Sequence, residues 1–309
     1  MRLVGVAMVR NEADIVEAFV RHNMTVVDAL TVVDHGSVDG TTEILSALVA
    51  EGLALTVGSE AELAQRQPEV LTRVAWTVFA QGADVVFPLD ADEFLKVPDR
   101  ALLERVLAQL PSGLNAALSW QTYISDNERY SAAQPLLAAR RRLAVERHGL
   151  HKVVLTRAFA DDPGAALGPG SHTVQSREAE PAKRPRLARL RSDVAALAHL
   201  PVRSAEQIAR KIRVGWLAHR AAKRRDPELA FHWRELFEML ERTGLPTSTE
   251  LRAIATNYGI ARAHWLPVSE VALVEDPLSR GIASRYDDLK FADADARVRA
   301  FAAHLTEES

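Results

Sequence analysis

Residues 3–9 form an apolar, β-branched run that stops at the polar turn Arg10-Asn11-Glu12, after which Ala13, Ile15, Val16, Phe19 and Val20 recur at helical spacing. The pattern is strand, polar turn, helix, and it repeats. Residues 29–33 end in Asp34, pass through His35-Gly36-Ser37-Val38-Asp39-Gly40-Thr41-Thr42 and continue into a helix carrying Ile44, Leu45, Leu48 and Val49. Gly36 and Gly40 permit turn geometries closed to other residues, and Ser37 or Asp39 can cap that helix. A third strand over 53–57 and an amphipathic helix over 68–81 lead to a fourth apolar run at 84–89. Such alternation confines the first part of the chain to an α/β fold, a parallel sheet with helices on its faces.

The fourth run ends in Asp90-Ala91-Asp92-Glu93. In extended backbone, residues two apart share a side, so Asp90 and Asp92 are expected to face one cation together while Ala91 points away. Hard oxygen ligands of this kind suit Mg²⁺ or Mn²⁺ bridging to phosphates, and the carboxyl edge of an open α/β sheet is where ligands bind. The bland alternative is a solvated acidic turn that caps a helix starting near Asp99.

Taken together, Val9-Arg10-Asn11-Glu12, Asp34-His35-Gly36-Ser37-Val38-Asp39-Gly40-Thr41 and Leu89-Asp90-Ala91-Asp92-Glu93-Phe94-Leu95 resemble the motifs of a family 2 glycosyltransferase of the GT-A fold, within its bacterial branch bearing an Asp-Ala-Asp-Glu-Phe motif. The resemblance covers roughly residues 1–100, and the order and spacing of the three motifs are more specific than any one alone. It implies a Rossmann-like, mostly parallel sheet and a nucleotide-sugar donor, UDP- or GDP-linked, with the diphosphate held by Mn²⁺ or Mg²⁺. It also implies transfer to an acceptor hydroxyl, generally with inversion. Arg10, Asn11 and Glu12 fall on the first nucleotide-contacting turn, and Asp34 on the acid that recognises base or ribose. Asp90 and Ala91 line the donor, Asp92 holds the metal, and Arg73 reaches toward the diphosphate. Each has a plainer reading: Asn11 as a cap, Asp34 as a strand end, Arg73 as an exposed helix arginine. Asp39 is better read as a turn residue.

Direct displacement needs a carboxylate base for the acceptor hydroxyl. After a fifth strand at 116–120, Asp126 and Glu128 are the candidates, with Asp126 preferred and a surface-loop acid as the alternative for both. Two histidines could complete the metal shell: His199, before Pro201-Val202-Arg203-Ser204, and His172, in the turn-rich stretch 168–174, near the acceptor or the metal. Lys152 is a candidate phosphate contact or a strand-edge lysine.

The chain has 309 residues, enough for a catalytic domain over 1–203, split at about residue 100 into a nucleotide-sugar half and an acceptor and metal half, plus a helical C-terminal subdomain over 204–309. Helices are expected near 204–224, 227–243 and 247–257, and a loop-rich lid over 160–186. The aromatics Trp216, Phe231, Trp233, Phe237, Tyr258 and Trp265 fall at helical spacing and read as core or interface before sugar platforms. A net charge of −3 implies no general affinity for polyanions, and the lack of cysteine removes disulfides and thiolate metal sites. No run approaches the roughly 20 apolar residues that cross a bilayer, and no leader pattern precedes the first strand, so the expected setting is cytoplasmic.

Basic residues concentrate at 183–225, including Lys183, Arg184, Arg186, Arg203, Arg210, Lys211, Arg213, Lys223 and Arg224. The block reads as a solvated helical surface, with anionic-lipid or nucleic-acid binding as the rival. No nucleic-acid signature accompanies it, so the expected partners are the donor and a carbohydrate or lipid-linked acceptor, with room for peripheral contact at the inner membrane face and for a homodimer. A sugar nucleotidyltransferase of related fold is a further alternative. It should carry a glycine-rich phosphate loop after the first strand, and Arg10-Asn11-Glu12 has no glycine.

Overall fold

All of β1 (Leu3–Val9) is buried, and its alternating side chains enter two different cores. Leu3, Ala7 and Val9 join Val16, Phe19, Ile44 and Leu45 on one face, while Val4, Val6 and Met8 join Val70, Leu71, Val78 and Phe79 on the other. A strand buried on both faces reads as a continuous apolar run, which is why residues 3–9 show no polar alternation. The structure is a computed structural model and describes residues 1–62, 66–126, 130–131, 133–176, 187–221, 231–278 and 282–307. From β1 the chain runs through α1 (Val16–Asn23), β2 (Ala29–Asp34), α2 (Thr41–Ala50), β3 (Leu55–Ser59), α3 (Gln67–Ala80) and β4 (Val85–Leu89). The four strands form a parallel sheet in the order β3-β2-β1-β4, with α1 and α2 on one face and α3 on the other. The α/β expectation holds. The third strand starts later than its apolar pattern suggested, because Gly52, at φ 84°, still belongs to the turn closing α2.

The chain continues through β5 (Glu93–Lys96), α4 (Arg100–Ala108), β6 (Asn115–Ile124), β7 (Arg141–Leu143), β8 (His151–Val154), α5 (Arg157–Ala160), β9 (Ala166–Leu167), β10 (Val174–Gln175), β11 (Leu187–Arg189) and β12 (Ala196–His199). A second, mixed sheet has the order β13-β7-β6-β12-β5, where β13 is Leu273–Glu275, and β8 and β11 also pair with β6. Here β12 and β11 run parallel to β6, and β7 and β8 antiparallel to it. The two sheets meet where Val86 of β4 and Leu155 exchange backbone hydrogen bonds of 2.9 and 2.8 Å.

One expectation about the acidic segment is corrected. Residues 90–92 are a turn between β4 and β5, closed by a 3.0 Å hydrogen bond from the Glu93 N–H to the Asp90 carbonyl, so the alternation rule for extended backbone does not orient Asp90 and Asp92. Asp99 does cap α4, its side chain accepting from the Leu102 N–H at 3.1 Å.

After β12 come α6 (Ala205–Ala221), α7 (Phe231–Thr243) and α8 (Ser248–Thr256), close to the three helices expected from periodicity. Their apolar sides, including Ile208, Ile212, Leu236, Met239, Leu251 and Ile254, pack on Ile124 and Leu143 with Trp233, Phe237, Tyr258 and Trp265 around them. The remainder is not purely helical, since β13 pairs with β7 before α9 (Ala294–Glu307). Residues 284–286 clasp Glu17 of α1, with the Ser284 hydroxyl at 2.6 Å and the Arg285 and Tyr286 N–H groups at 3.0 and 3.1 Å. Of the basic block, Lys183, Arg184, Arg186, Lys223 and Arg224 lie outside the described residues, as does the 177–186 part of the expected lid. Among the described members, Arg210 pairs with Asp295 and Arg213 with Glu241. Among the described residues no helix is long and apolar enough to cross a membrane.

Gly40 precedes α2 with φ 103°, and a Cβ there would strike the Leu289 carbonyl. Gly40→Ala is expected to destabilise the fold by about 1–3 kcal/mol in urea unfolding, and by more than Gly52→Ala, which shares a positive φ but meets no neighbour.

Candidate functional site

The turns after β1 and β2 are stitched together. Asn11, in left-handed backbone at φ 56°, donates its N–H to the Ser37 hydroxyl at 2.9 Å and accepts from the Val38 N–H at 2.8 Å. The Glu12 N–H goes to the Thr41 hydroxyl at 2.9 Å and the Ala13 N–H to Asp39 at 3.0 Å. Three successive backbone donors of the first turn are therefore consumed by side chains of the second. Asp39 also accepts from the Thr41 N–H, the turn role its surroundings suggested.

At the mouth of these turns Asp34 uses one oxygen, accepting from the Ser37 N–H and the Thr42 hydroxyl, both at 3.2 Å. Its other oxygen, and the Asn11 amide nitrogen, are buried with no hydrogen-bond partner among the described residues. A buried acceptor and donor left open at neighbouring strand ends are a feature that calls for an outside partner. Arg10 donates to the His35 carbonyl at 2.6 Å and lies over the Phe301 ring, and burial lowers its pKa to about 10. Arg73 is 65% exposed and pairs with Glu60, just beyond β3, at 3.0 Å.

The acidic turn sits between two lysines from distant elements. Lys152 of β8, 1% exposed, holds Asp90 at 2.9 Å and Glu93 at 2.8 Å, while Gln67 donates to the other Asp90 oxygen at 2.5 Å. Burial, the largest influence, disfavours the Asp90 charge, but the charge and hydrogen bond of Lys152 together with Lys211 exceed it, and the pKa falls below the usual carboxylate value. Glu93 is more deeply enclosed, and there burial prevails over Lys152 and raises its pKa to about 8. Asp92, 2% exposed, receives the Lys211 ammonium from α6, and His199 Nε2 lies 3.6 Å from the same oxygen. Burial again opposes the charge, and Lys211 with His199 overcomes it, holding Asp92 well below its ordinary value. His199 reaches this place because β12 pairs antiparallel to β5 with His199 opposite Glu93, and the Leu200 N–H binds the Asp92 carbonyl at 2.9 Å.

Arg203 links this cluster to the first turn. Fully buried, it donates to Glu12 at 2.5 Å and to Asp14 at 2.7 and 3.0 Å, and the Tyr130 hydroxyl donates to Asp14 at 2.7 Å. Burial raises the Glu12 pKa to about 7 despite Arg203. Trp120 packs on both histidines singled out from the sequence, with ring centroids 4.3 Å from His199 and 5.2 Å from His172. His172 is anchored by the His151 carbonyl at 2.7 Å, and burial, then Lys152, lowers its pKa to about 4. Tyr258 completes the wall, its ring 5.7 Å from His199 and 5.8 Å from the Lys211 nitrogen.

The structure thus gathers Glu12, Asp90, Ala91, Asp92, Lys152 and His199 at one place and sets Asn11 and Asp34 beside the stitched turns. Asp126 lies half-buried beyond β6, its N–H on the Ala138 carbonyl at 3.0 Å. Glu128 lies outside the described residues. Asp14, Gln67 and Tyr130 belong to the cluster and had no assigned role in the sequence; Arg203 and Lys211, read there as part of a solvated basic surface, and Tyr258, read as core or interface, belong to it as well, Arg203 fully buried and Lys211 paired with Asp92. Asp14 had one available signal, its position two residues after Glu12.

Among the described residues, no three ligating side chains converge on a metal position. Asp92 and His199 are nonetheless an oxygen and a nitrogen donor facing one another, a pair that suits Mn²⁺ or Mg²⁺ with phosphate oxygens completing the shell. The ammonium on Asp92 is a stand-in positive charge at that oxygen.

No family model matches the chain, and no curated protein sequence does. Solved structures similar to it include TarS 1-349 from S. aureus, at 14% identity over 79% of this chain and 73% of that one, with a TM-score of 0.39. A mannosyltransferase, PcManGT from Pyrobaculum calidifontis in complex with GDP-Man and Mn²⁺, gives 18% identity over 87% and 77%, with a TM-score of 0.39. Glucosyl-3-phosphoglycerate synthase from Mycobacterium tuberculosis, in complex with Mn²⁺, UDP and glucosyl-3-phosphoglycerate, gives 15% over 90% and 88%, with a TM-score of 0.36. These similarities are distant; what the site can do is set by the chain's own residues.

Removing one partner of a buried ion pair strands the other. Arg203→Met leaves Glu12 and Asp14 uncompensated and is expected to lower unfolding free energy by about 3–5 kcal/mol in a urea titration. The Glu93 carboxyl, raised from 4.5 to about 8, keeps a proton in the folded state that the unfolded chain has already lost. Its stabilising share is therefore complete below pH 4.5 and is lost as the pH rises through about 8. From about pH 7 to 8, above the ordinary histidine range, the stability of the unaltered protein should fall more steeply with pH than that of Glu93→Gln, as followed by urea midpoints.

Proposed function

We propose that the chain is a family 2-like glycosyltransferase of the GT-A fold that transfers a sugar, with inversion, from a UDP- or GDP-linked donor to a hydroxyl of a carbohydrate or lipid-linked acceptor. The observation that carries this reading is the Asp34 oxygen and Asn11 amide left buried and unpaired at adjacent strand ends, in the sheet whose strand β4 leads into a buried acidic turn that can hold a cation. In this reading the carboxylate takes a ribose hydroxyl or a base N–H, and the amide donates to a carbonyl or ring nitrogen of the same nucleoside. The stitched first turn has no free N–H groups at residues 11–13 to cradle phosphate, which disfavours a nucleotidyltransferase.

Departure of the nucleoside diphosphate develops negative charge on phosphate, and catalysis requires positive charge waiting there. A divalent cation, when bound by Asp92 and His199, supplies that charge as a Lewis acid. Asp90, tied to Lys152 and Gln67, shapes the donor pocket next to Ala91. Lys152 acts by fixing the Asp90 carboxylate and the Glu93 carboxyl group, since its ammonium already contacts both. Asp126 is the proposed base for the acceptor hydroxyl, with Glu128 as the neighbouring candidate. His172, neutral at physiological pH and packed at a tilt against Trp120, lines the acceptor side. The proposed domain division, 1–203 catalytic and 204–309 C-terminal, assigns α6 to the second part although its lysine serves the first.

UDP- and GDP-sugars are expected to raise the melting temperature in the presence of Mn²⁺, because a ligand bound only by the folded state stabilises it by about 2.7 kcal/mol at one hundred times its Kd. Asp34→Ala should diminish that rise, and Asp92→Asn should slow sugar transfer about 100-fold or more. If no nucleotide sugar shifts the melting temperature with either cation, the assignment fails.

A further inference from the structure

The Asp92 carboxylate is the proposed ligand of a divalent cation, yet an ammonium already lies on it. Lys211 Nζ bonds the same Oδ2 that His199 Nε2 approaches at 3.6 Å, and the Tyr258 ring backs that ammonium at 5.8 Å. The two lysines of the acidic turn differ in kind. Lys152 is enclosed, comes from a strand and divides its charge between Asp90 and Glu93, so moving it would strand two carboxylates. Lys211 is 22% exposed, comes from the face of α6 and holds Asp92 alone. The helix beneath it is anchored by the buried Ile208 and Ile212, so the four-carbon stem can rotate while α6 stays in place.

We propose that Lys211 is the resident counter-ion of Asp92, that it and a divalent cation are mutually exclusive occupants of that carboxylate, and that the ammonium displaced by the cation becomes a ligand for the anionic donor. The physical reason is repulsion. An ammonium and a doubly charged ion on one carboxylate oxygen would stand within a few ångströms of each other in a poorly screened site. With Lys211 in place the charge of the buried Asp92 is neutralised. Once displaced, the ammonium remains at the mouth of the site, where diphosphate oxygens would meet it. Lys211 is thus a positioning residue that couples cation entry to donor entry.

The inference rests on the cation site of the proposed function, and the experiment separates the two. Mn²⁺ binding is measured by electron paramagnetic resonance without nucleotide, on the unaltered protein, Lys211→Met and Lys211→Arg. Lys211→Met should bind Mn²⁺ about tenfold or more tightly than the unaltered protein, and Lys211→Arg, which keeps the charge, should stay close to it. Equal affinity in the methionine variant, or equal tightening by arginine, would overturn the proposal. A second measurement needs no substitution: acylation of Lys211, followed by peptide mass spectrometry, should accelerate when Mn²⁺ fills the site, while Lys152 stays protected. An unchanged Lys211 rate at saturating Mn²⁺ would also overturn it. UDP and GDP binding is scored separately. Tightening in Lys211→Met without nucleotide binding would keep the competition and sink the transferase reading, whereas Mn²⁺-dependent nucleotide binding without tightening would sink the competition alone.

Discussion

Carboxyl groups crowd the ends of β1 and β4, and they are held there because Lys152, Arg203 and Lys211 are brought to them out of water. Glu12, Asp14, Asp90, Asp92 and Glu93 would repel one another and lose hydration if buried alone, a penalty of several kcal/mol for each ion. The three cations come from β8, the segment before α6, and α6 itself. The second sheet and the C-terminal helices are therefore conditions for the acidic site to exist. The β12–β5 pairing sets His199 beside Asp92, and α6, packed on the second sheet's Ile124 and Leu143, delivers Lys211 to it.

The balance within the cluster is uneven. Asp90 and Asp92 keep their charge because burial, the largest influence on each, is exceeded by several attractions together, Lys152 with Lys211 at Asp90 and Lys211 with His199 and Arg203 at Asp92, whereas Glu93 and Glu12 are pushed upward because burial outweighs the neighbouring cations. A site arranged this way holds its firmest negative charge at its aspartates, Asp14 included, and less at the two glutamates. The stitched turns make a complementary division. Their backbone donors are spent on holding one strand end to the next, and the unpaired polar atoms left there belong to the side chains of Asn11 and Asp34.

Much of the first sheet was legible from local pattern. The run at 3–9, the glycines flanking Ser37 to Asp39, and the apolar positions 44, 45 and 48 were read as strand, turn and helix, and the structure has them so. The second sheet was less legible. β5 escaped notice because Glu93 to Lys96 is short and follows acids that resembled a terminus, and β6 extends to Ile124 through Gln121 and Thr122, polar residues that interrupt its pattern. The turn at 90–92 was misjudged as extended because whether a strand continues or reverses depends on its partner, here β12, which lies about a hundred residues later.

What the sequence determined by itself was the order of strands and helices in the first sheet and the residue types at their junctions, since apolar period, glycine and capping residues act over a few neighbours. Only the tertiary structure decided which charge answers which. Lys152 is 62 residues from Asp90, Lys211 is 119 from Asp92, and Arg203 is 189 from Asp14. A lysine in a basic helix carries no local mark that distinguishes a solvated side chain from the counter-ion of a buried aspartate. Electrostatic attraction depends on distance through space and on the water excluded between the partners, and both arise only when the two sheets and α6 close together.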